Sequence, residues 1–368
     1  MVAGIIGAAG YAGSELCRLL ASHAEVTELK LSSTSFEGQP LADIYPNLLK
    51  CVNAVLVNAE QVVEDSDVVF AALPAGASEA YAKQCHSKNI PFIDISADFR
   101  FDDDGETYAA WYGKPYTEPQ LHSESVYGLP EMNRQKIKDA ACKGGAIIGN
   151  PGCYPTSITL GAMPALKLGI AAGDGTIIAD SASGITGGGR EPNRSYHFPE
   201  CSDSVSPYKV GCHRHTPEIS RNFSIIENRL LKPRHVIFTP HLVPMNRGIL
   251  STIYIPLKSD IAHSTPPRPQ SSTVQKNLER VHGLYTDFYK NEYFIRVLPL
   301  GTYAAASRVR QSNYCDISVH IDQSGSMLII TSAIDNMVKG AAGQAVQNMN
   351  IIFGFKENTG LQAIPAAF

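Results

Sequence analysis

The chain has 368 residues, 44% of them hydrophobic and 18% charged, with a formal net charge of −4 at pH 7. This length fits two globular domains better than one. The weak acidic charge, without a basic run, argues against nucleic acid as the main partner, and no apolar stretch approaches the roughly 20 residues of a membrane-spanning helix. Eight scattered cysteines without a C-x-x-C pair indicate reduced thiols rather than disulfides or a metal site, so we expect a cytoplasmic protein that binds no metal.

The chain opens with a predicted strand, a glycine-rich turn and a helix. Val2–Ile6 is apolar, and Ser14–Ser22 has a helical pattern. Between them stand Gly7, Ala8, Ala9, Gly10, Tyr11, Ala12 and Gly13. The first glycine suits a tight turn, the second the close approach of a phosphate, and the third tight packing of the helix, with the pyrophosphate at the helix start. The turn therefore predicts a dinucleotide site, and a purely structural turn is the alternative.

The predicted second strand, Glu28–Leu31, ends in Ser32, Ser33 and Thr34. A site specific for NAD usually carries an Asp or Glu there for the ribose 2′-hydroxyl. No carboxylate stands at this point to repel a 2′-phosphate, and the hydroxyl groups can donate hydrogen bonds to one. The pattern favours NADP over NAD, although an ordinary serine-rich loop would look the same.

Further strands and helices alternate up to about residue 150. Val68–Pro74 is predicted as a strand, Glu79–Lys88 as a helix and Ile90–Ile95 as a strand, which implies a parallel, doubly wound sheet. Ligands bind at the carboxyl ends of such strands, where Pro74 is expected to lie. Phe101–Glu131 has little periodicity, and we interpret it as loops.

The segment from Gly149 to Thr156 is a predicted turn between a short strand and a helix, with Cys153 at its tip. Pro155 suits the first helical turn, and the positive end of the helix favours a thiolate. Cys153 is therefore a candidate nucleophile, against the alternative of an inert buried thiol. Pro164 should kink the helix or end it early.

Strand-like segments dominate the rest of the chain and predict a mixed, largely antiparallel sheet in a second domain. They are Thr176–Ala182, Val236–His241, Ser251–Leu257, Tyr293–Leu298, Asp316–Ile321 and Met327–Ser332. One long helix, Thr273–Tyr289, separates them, preceded by a surface connection at Ser264–Ser272. A final helix is predicted over Asp335–Phe353.

Two polar clusters stand out in this second half. Ser183 to Arg190 contains three consecutive glycines and an arginine, a pattern that can grip phosphate or carboxylate but also fits a plain mobile loop. In the other cluster, Glu218 lies three residues after His215 and can orient its imidazole for proton transfer, with His213 close by. A structural role for both histidines is the alternative.

These segments resemble the N-acetyl-gamma-glutamyl-phosphate reductases of the semialdehyde dehydrogenase group along essentially the whole chain. Matching segments include Gly7–Gly13, Asp94–Arg100, Tyr127–Glu131, Asn150–Thr156, Ser183–Arg190, His213–Ile219, Thr239–Leu250 and Asp335–Met349. The chain departs from the family pattern at Gln311, where a glycine is expected.

The resemblance implies an NADPH-dependent reduction of N-acetyl-L-glutamyl 5-phosphate to N-acetyl-L-glutamate 5-semialdehyde through a cysteine thioester. It implies Cys153 as nucleophile and His215 as acid/base group, and it places Asn336 against the nicotinamide. Arg190, Asn150, Ser183 and Arg100 are the expected substrate ligands. It also implies a Rossmann-type NADP-binding domain over residues 1–150, completed by residues 335–368, a catalytic domain over residues 151–334, and a dimer or tetramer.

Three other functions remain open from the sequence. Aspartate-semialdehyde dehydrogenase shares the cysteine and histidine chemistry, but the segments His213–Glu218 and Ser96–Arg100 favour the acetylglutamyl enzyme. A reductase of carrier-linked aminoadipyl phosphate would need a basic docking face, which this composition does not show. A regulator that binds NADP but has no catalytic activity would not need Cys153 at a helix start.

Overall fold

The computed structural model describes residues 1–102, 104–229, 232–258 and 272–367. Contacts between residues divide the chain into two compact units. The first consists of Met1–Gly152, Gly188–Glu191 and Met337–Ile364, and the second contains Cys153–Gly187 and Pro192–Asn336. Apart from Ser272, the predicted connection Ser264–Ser272 lies outside the described residues.

The first unit contains a seven-stranded sheet in the order β3-β2-β1-β4-β5-β7-β6. Its strands are β1 (Val2–Ile6), β2 (Glu28–Ser32), β3 (Leu56–Val57), β4 (Val68–Ala71), β5 (Phe92–Asp94), β6 (Val126–Tyr127) and β7 (Ile147–Gly149). Every pairing is parallel. All four residues of β4 are buried, as expected for a parallel sheet covered on both faces. The predicted doubly wound, Rossmann-type sheet is confirmed.

Only two of the helices that accompany this sheet were predicted from the sequence, at Ser14–Ser22 and Glu79–Lys88. The helices are α1 (Tyr11–Leu20), α2 (Leu41–Ile44), α3 (Ala59–Glu64), α4 (Glu79–Ser87), α5 (Gly105–Tyr112), α6 (Pro119–Glu124) and α7 (Pro130–Lys143). The interpretation of Phe101–Glu131 as loops is wrong, because this segment contains α5, α6 and β6. Asp104 caps α5 by accepting a hydrogen bond from the backbone N–H of Thr107 at 3.0 Å, and Gly113 ends it in the left-handed conformation.

The second unit contains another seven-stranded sheet, in the order β12-β13-β14-β11-β8-β10-β9. Its strands are β8 (Ile177–Ser183), β9 (Ser206–Pro207), β10 (Val236–Leu242), β11 (Ile249–Pro256), β12 (Ile295–Val297), β13 (Cys315–Ile321) and β14 (Met327–Ile334). The β8–β10 and β12–β13 pairs are parallel, and the other pairs are antiparallel. The predicted mixed, largely antiparallel sheet is confirmed.

Where the structure describes this second part of the chain, its α-helices are α8 (Cys153–Lys167), α9 (Phe198–Cys201), α10 (His215–Ile226) and α11 (Ser272–Tyr289). Nearly all of α8 is buried. Within the ranges that the structure describes, no helix combines the length and apolar character needed to cross a membrane.

Pro164 does not end α8, which continues to Lys167. A proline has no N–H for the carbonyl four residues earlier, here that of Leu160. The hydroxyl of Tyr289 on α11 donates to this carbonyl at 2.5 Å, and the hydroxyl of Tyr285 donates to the carbonyl of Gly161 at 3.0 Å. A side chain from another helix therefore replaces the backbone donor that proline removes.

The last helical segment begins three residues later than predicted. A π-helical turn, Val338–Ala342, leads into α12 (Gly343–Ile352). Lys339 in this turn is fully buried, and its Nζ lies 2.7 Å from Oε1 of Glu131 and 2.9 Å from Oε1 of Gln347. The ion pair fixes the π-helical turn against the start of α7, because an unpaired buried ammonium group would be very costly.

Candidate active site

Cys153 is the first residue of α8 and is half-buried. The strand before it ends at Gly149, where an added Cβ would lie 1.8 Å from the carbonyl oxygen of Phe99. Arg100 donates from Nε to the carbonyl of Asn150 at 3.0 Å and from Nη2 to that of Ile95 at 3.0 Å. The backbone that leads into Cys153 is therefore held tightly, and the positive end of the helix favours the thiolate form.

Five aromatic rings form a cluster that includes Tyr154, the residue after Cys153. They belong to Tyr154, Tyr208, His213, His215 and Phe238. The ring centroid of Tyr154 lies 5.7 Å from that of His213 and 5.9 Å from that of His215. The two imidazoles are 4.8 Å apart. The structure thus brings both predicted histidines to the side chain that follows the predicted nucleophile.

The hydroxyl groups of Tyr154 and Tyr208 lie 2.9 Å apart. Burial raises the pKa of both phenols, and the charge of the Cys153 thiolate raises each pKa further. Ser183, at the end of β8, is buried and hydrogen-bonds to Tyr154. Tyr208 was not predicted from the sequence, because the short strand Ser206–Pro207 before it carries no motif that marks a site.

His213 and His215 differ in burial and in their contacts. Burial, reinforced by the positive charges of Lys209 and Arg214, lowers the pKa of His213 to about 4. His215 is half-buried and is the first residue of α10, and Arg214 occupies the cap position before it. Glu218, in the first turn of the same helix, is buried.

The glycine-rich turn between β1 and α1 suits a bound dinucleotide. Gly7 has φ +88°, and an added Cβ there would lie 2.4 Å from the carbonyl oxygen of Ala72. A Cβ on Gly13 would lie 2.3 Å from the carbonyl oxygen of Gly7, so α1 packs closely on the turn. A Cβ on Gly10 would meet only the Gly7 carbonyl, at 3.5 Å. The N-terminus of α1 at Tyr11, Ala12 and Gly13 thus faces space that a phosphate can enter.

The end of β2 supplies the other expected cofactor contacts. The carbonyl of Ser32 accepts from the backbone N–H groups of Gly7 at 3.1 Å and Ala8 at 2.9 Å, while Ser33 is half-buried and Thr34 is exposed. No carboxylate stands among these residues. Pro74 is exposed in the loop after β4, at the carboxyl edge of the same sheet.

Two other predicted site residues use their side-chain amides within the protein. Asn336 lies between β14 and the π-helical turn, accepts from the N–H of Gly248 at 2.7 Å and donates to Oγ1 of Thr186 at 3.0 Å. Asn150 is fully buried. It donates to the carbonyl of Ala341 at 3.0 Å and accepts from Asn348 at 3.2 Å. These contacts hold the backbone of the site.

Arg190 lies on the glycine-rich turn of the first unit. Its Nη1 donates to the carbonyl of Ala9 at 3.3 Å, and its guanidinium carbon lies 5.3 Å from the ring centre of Phe36 and 5.4 Å from that of Tyr45.

Among the described residues, no three His, Cys, Asp or Glu side chains lie close enough together to hold a metal ion.

Comparison with known proteins places the chain in a family. Residues 2–140 match the model of the semialdehyde dehydrogenase NAD binding domain, and residues 153–336 match that of the semialdehyde dehydrogenase dimerisation domain. An N-acetyl-gamma-glutamyl-phosphate reductase from Clostridium beijerinckii is 50% identical over 365 residues, covering 99% of both chains. One from Brachyspira hyodysenteriae is 48% identical over 373 residues, with the same coverage.

Solved structures agree with the fold. Aspartate semialdehyde dehydrogenase II from Vibrio cholerae superposes with a TM-score of 0.70 at 16% identity, covering 96% of this chain and 98% of that one. Aspartate semialdehyde dehydrogenase with NADP from Candida albicans gives 0.66 at 16% identity, with coverages of 97% and 99%. Identities this low show the fold alone, whereas the full-length relatives show the family. The chain belongs to the N-acetyl-gamma-glutamyl-phosphate reductase family of the semialdehyde dehydrogenases.

Proposed function

We propose that the chain reduces N-acetyl-L-glutamyl 5-phosphate to N-acetyl-L-glutamate 5-semialdehyde and phosphate, with NADPH as the reductant. The observation that carries this proposal is the placement of Cys153 at the start of α8, beside the ring cluster that contains His213 and His215. An acyl phosphate is an activated carboxyl group, so a thiolate at this position has a suitable carbon to attack.

In the first step, the Cys153 thiolate attacks the acyl carbon of the substrate. A C–S bond forms, and the bond from this carbon to the phosphate oxygen breaks, with its electron pair leaving on phosphate. Backbone N–H groups at the start of α8 are suitably placed to stabilise the oxyanion that develops. The product of this step is a thioester on Cys153.

When bound, NADPH would supply a hydride to the carbonyl carbon of this thioester, and the resulting alkoxide would take up a proton from solvent to give a thiohemiacetal. His215 then accepts the hydroxyl proton of the thiohemiacetal, the C–S bond breaks, and the aldehyde leaves while the thiolate is restored. Glu218, three residues along the same helix, is the proposed orienting carboxylate for His215. His213 is proposed to contact the substrate.

The residues of the first unit fit NADPH. The open space at Gly10, the start of α1 and the hydroxyl groups of Ser32, Ser33 and Thr34 would hold the pyrophosphate and the phosphorylated ribose. Asn336 is proposed to contact the nicotinamide end, as the family resemblance implies. Pro74 is proposed to contact the cofactor at the carboxyl edge of the sheet. The absence of a carboxylate after β2 supports NADPH over NADH.

The predicted substrate ligands differ in the contacts that they make within the protein. Ser183 lies in the cluster around Tyr154 and is a proposed substrate ligand. Arg100 and Asn150 were predicted to bind substrate, but the contacts above support a role in fixing the turn before Cys153.

The match of residues 153–336 to a dimerisation domain supports a homo-oligomer, which we propose to be a dimer or a tetramer. Eight thiols without a disulfide support a cytoplasmic location.

The test is the reverse reaction with the purified protein. Phosphate-dependent reduction of NADP should proceed with N-acetylglutamate semialdehyde and be at least about tenfold less efficient with aspartate semialdehyde, a difference of roughly 1.4 kcal/mol in transition-state binding. A preference for aspartate semialdehyde would overturn the proposal.

A further inference from the structure

Arg190 connects two segments of the first unit that flank the expected ribose position. Its guanidinium donates to the carbonyl of Ala9 in the glycine-rich turn. It also stacks against the rings of Phe36, four residues past the end of β2, and Tyr45. The cation therefore spans the gap between the turn and the segment that follows β2.

In this type of fold, the adenosine ribose of a dinucleotide lies near the end of the second strand, and an arginine nearby accommodates a ribose 2′-phosphate. We propose that Arg190 binds the 2′-phosphate of NADP(H) and is a determinant of cofactor preference, an inference that rests on the proposed function. Ser33 and Thr34 supply neutral donors at this position, whereas Arg190 supplies the charge.

The guanidinium is held ready for an anion. Two aromatic rings hold the cation by cation–π attraction, and the hydroxyl of Tyr45 donates to the same Ala9 carbonyl at 2.9 Å. Over the part of the chain that the structure describes, no carboxylate pairs with Arg190. Since a guanidinium has five N–H donors in a planar fork, the bond to Ala9 leaves an edge for phosphate.

The backbone around Arg190 places this residue in the first unit. Gly188–Glu191 belongs to the first unit by its contacts, although its flanking residues belong to the second. Gly189 has φ +85° with no atom near its Cβ position, so the chain can turn there without strain. The sequence predicted a substrate phosphate or carboxylate as the partner of Arg190, whereas these contacts indicate a phosphate of the cofactor.

The experiment measures nucleotide binding to the full chain by calorimetry, without any reaction. Adenosine 2′,5′-bisphosphate and 5′-AMP differ only in the 2′-phosphate. Arg190→Gln should weaken binding of the bisphosphate by about 10- to 100-fold, the scale of a lost charge-assisted hydrogen bond, and change 5′-AMP binding less than about twofold. The affinity of Arg190→Lys for the bisphosphate should lie between those of the wild type and Arg190→Gln, because lysine keeps the charge but lacks the planar fork of N–H donors.

Arg194→Gln is the matched control, since Arg194 lies four residues on and its side chain is 89% exposed. It should change neither affinity. The proposal is overturned if Arg190→Gln weakens both nucleotides equally, or neither of them. It is also overturned if the variant keeps nucleotide affinity but raises the Michaelis constant for the acyl phosphate.

Because the two nucleotides bind without reacting, the experiment tests the role of Arg190 independently of the proposed reaction. A protein that discriminated the two nucleotides through Arg190 but reduced no acetylglutamyl phosphate would refute the proposed substrate and retain the NADP site. Conversely, an active reductase with unchanged nucleotide binding in Arg190→Gln would refute only the assignment of Arg190.

Discussion

The backbone N–H of His215 donates a hydrogen bond to Nδ1 of His213, with 3.1 Å between the two nitrogens. Nδ1 of His213 is therefore an acceptor, and the neutral ring carries its proton on Nε2. Because the pKa of His213 is lowered to about 4, this imidazole stays neutral near pH 7 and is poorly suited to transfer protons there.

The first prediction concerns the two histidines. His215→Asn should lower kcat by roughly 10²–10⁴-fold, the scale of a lost general acid/base, whereas His213→Asn should mainly raise the Michaelis constant. Glu218→Gln should fall between them. Steady-state kinetics across pH would check this, and a larger loss of kcat at position 213 than at 215 would reverse the assignment.

A second prediction follows from the depressed pKa of His213. Above pH 6.5, the ring is neutral in both the folded and the unfolded chain. As the pH falls from 6.5 towards 4, the unfolded chain binds a proton that the folded protein does not, so the free energy of unfolding drops by up to about 3 kcal/mol. Chemical denaturation of the wild type and His213→Asn at several pH values would measure this.

The control for that experiment is His235→Asn, which replaces an exposed histidine and is measured over the same pH range. If His213→Asn loses stability on acidification as steeply as the wild type, His213 is not the group that titrates.

Cys153→Ser should keep the fold and NADPH binding but abolish turnover, because an alkoxide is far harder to form near neutral pH than a thiolate. Cys142→Ser and Cys212→Ser, both at exposed positions, are the matched controls and should be close to neutral. Turnover, circular dichroism and cofactor titration would be compared for the three variants. Substantial activity in Cys153→Ser would remove this residue from the mechanism.

Ser33→Asp should shift the preference from NADPH towards NADH, because a carboxylate at the end of β2 repels a 2′-phosphate and can accept hydrogen bonds from a ribose 2′-hydroxyl. The ratio of kcat/KM for the two cofactors measures the shift. Ser33→Ala should change this ratio less, since it adds no charge. An unchanged ratio in Ser33→Asp would mean that this side chain does not face the ribose.

Gln311 is in the left-handed conformation, with φ +61°. The family pattern has a glycine at this position. The backbone N–H of Gln311 donates to Oδ2 of the buried Asp335 at 2.6 Å. Gln311→Gly should raise the free energy of unfolding by up to about 1 kcal/mol, because it relieves a strained conformation. Thermal denaturation would test this, with Gln311→Ala expected to give no gain. A destabilising Gln311→Gly would show that the side chain contributes more than the conformation costs.

Gln311 also shows what the sequence can and cannot predict. The family pattern has a glycine at this position, and the structure has a positive φ there even though glycine is absent. The Asp335 carboxylate that receives the N–H lies 24 positions away. Periodicity within a segment does not reveal such a partner, so the reason that the turn tolerates glutamine was not predictable.

The two-residue strands β3, β6 and β9 were missed. The longer strands were predictable because buried strands leave apolar runs in the sequence, as in Val2–Ile6, whose bounds agree with β1. Helices that lack an apolar face were not. The helix α5 depends on its cap at Asp104 and on stacking of Tyr108 with Tyr112 at 4.9 Å. The continuation of α8 through Pro164 depends on the hydroxyl of Tyr289, which is 129 residues from the Leu160 carbonyl that it contacts.

The same distinction applies to the site. Cys153 and the two histidines belong to local motifs, and the structure brings the histidines to the ring of Tyr154, the neighbour of Cys153. The position of Arg190 beside Ala9 is set by a contact across 181 residues, and Tyr208 has no motif. Those placements depend on tertiary contacts that a single sequence does not display.

The buried pair of Lys339 and Glu131 has a consequence for synthesis on the ribosome. The two residues are 208 positions apart, so a nascent chain that ends before Lys339 presents Glu131 without its partner. The first unit cannot reach its final packing when residue 152 emerges, although all seven strands of its sheet have been translated by then. Its completion is delayed until the C-terminal segment leaves the exit tunnel, and in the interval chaperones can bind the apolar surface that α12 later covers.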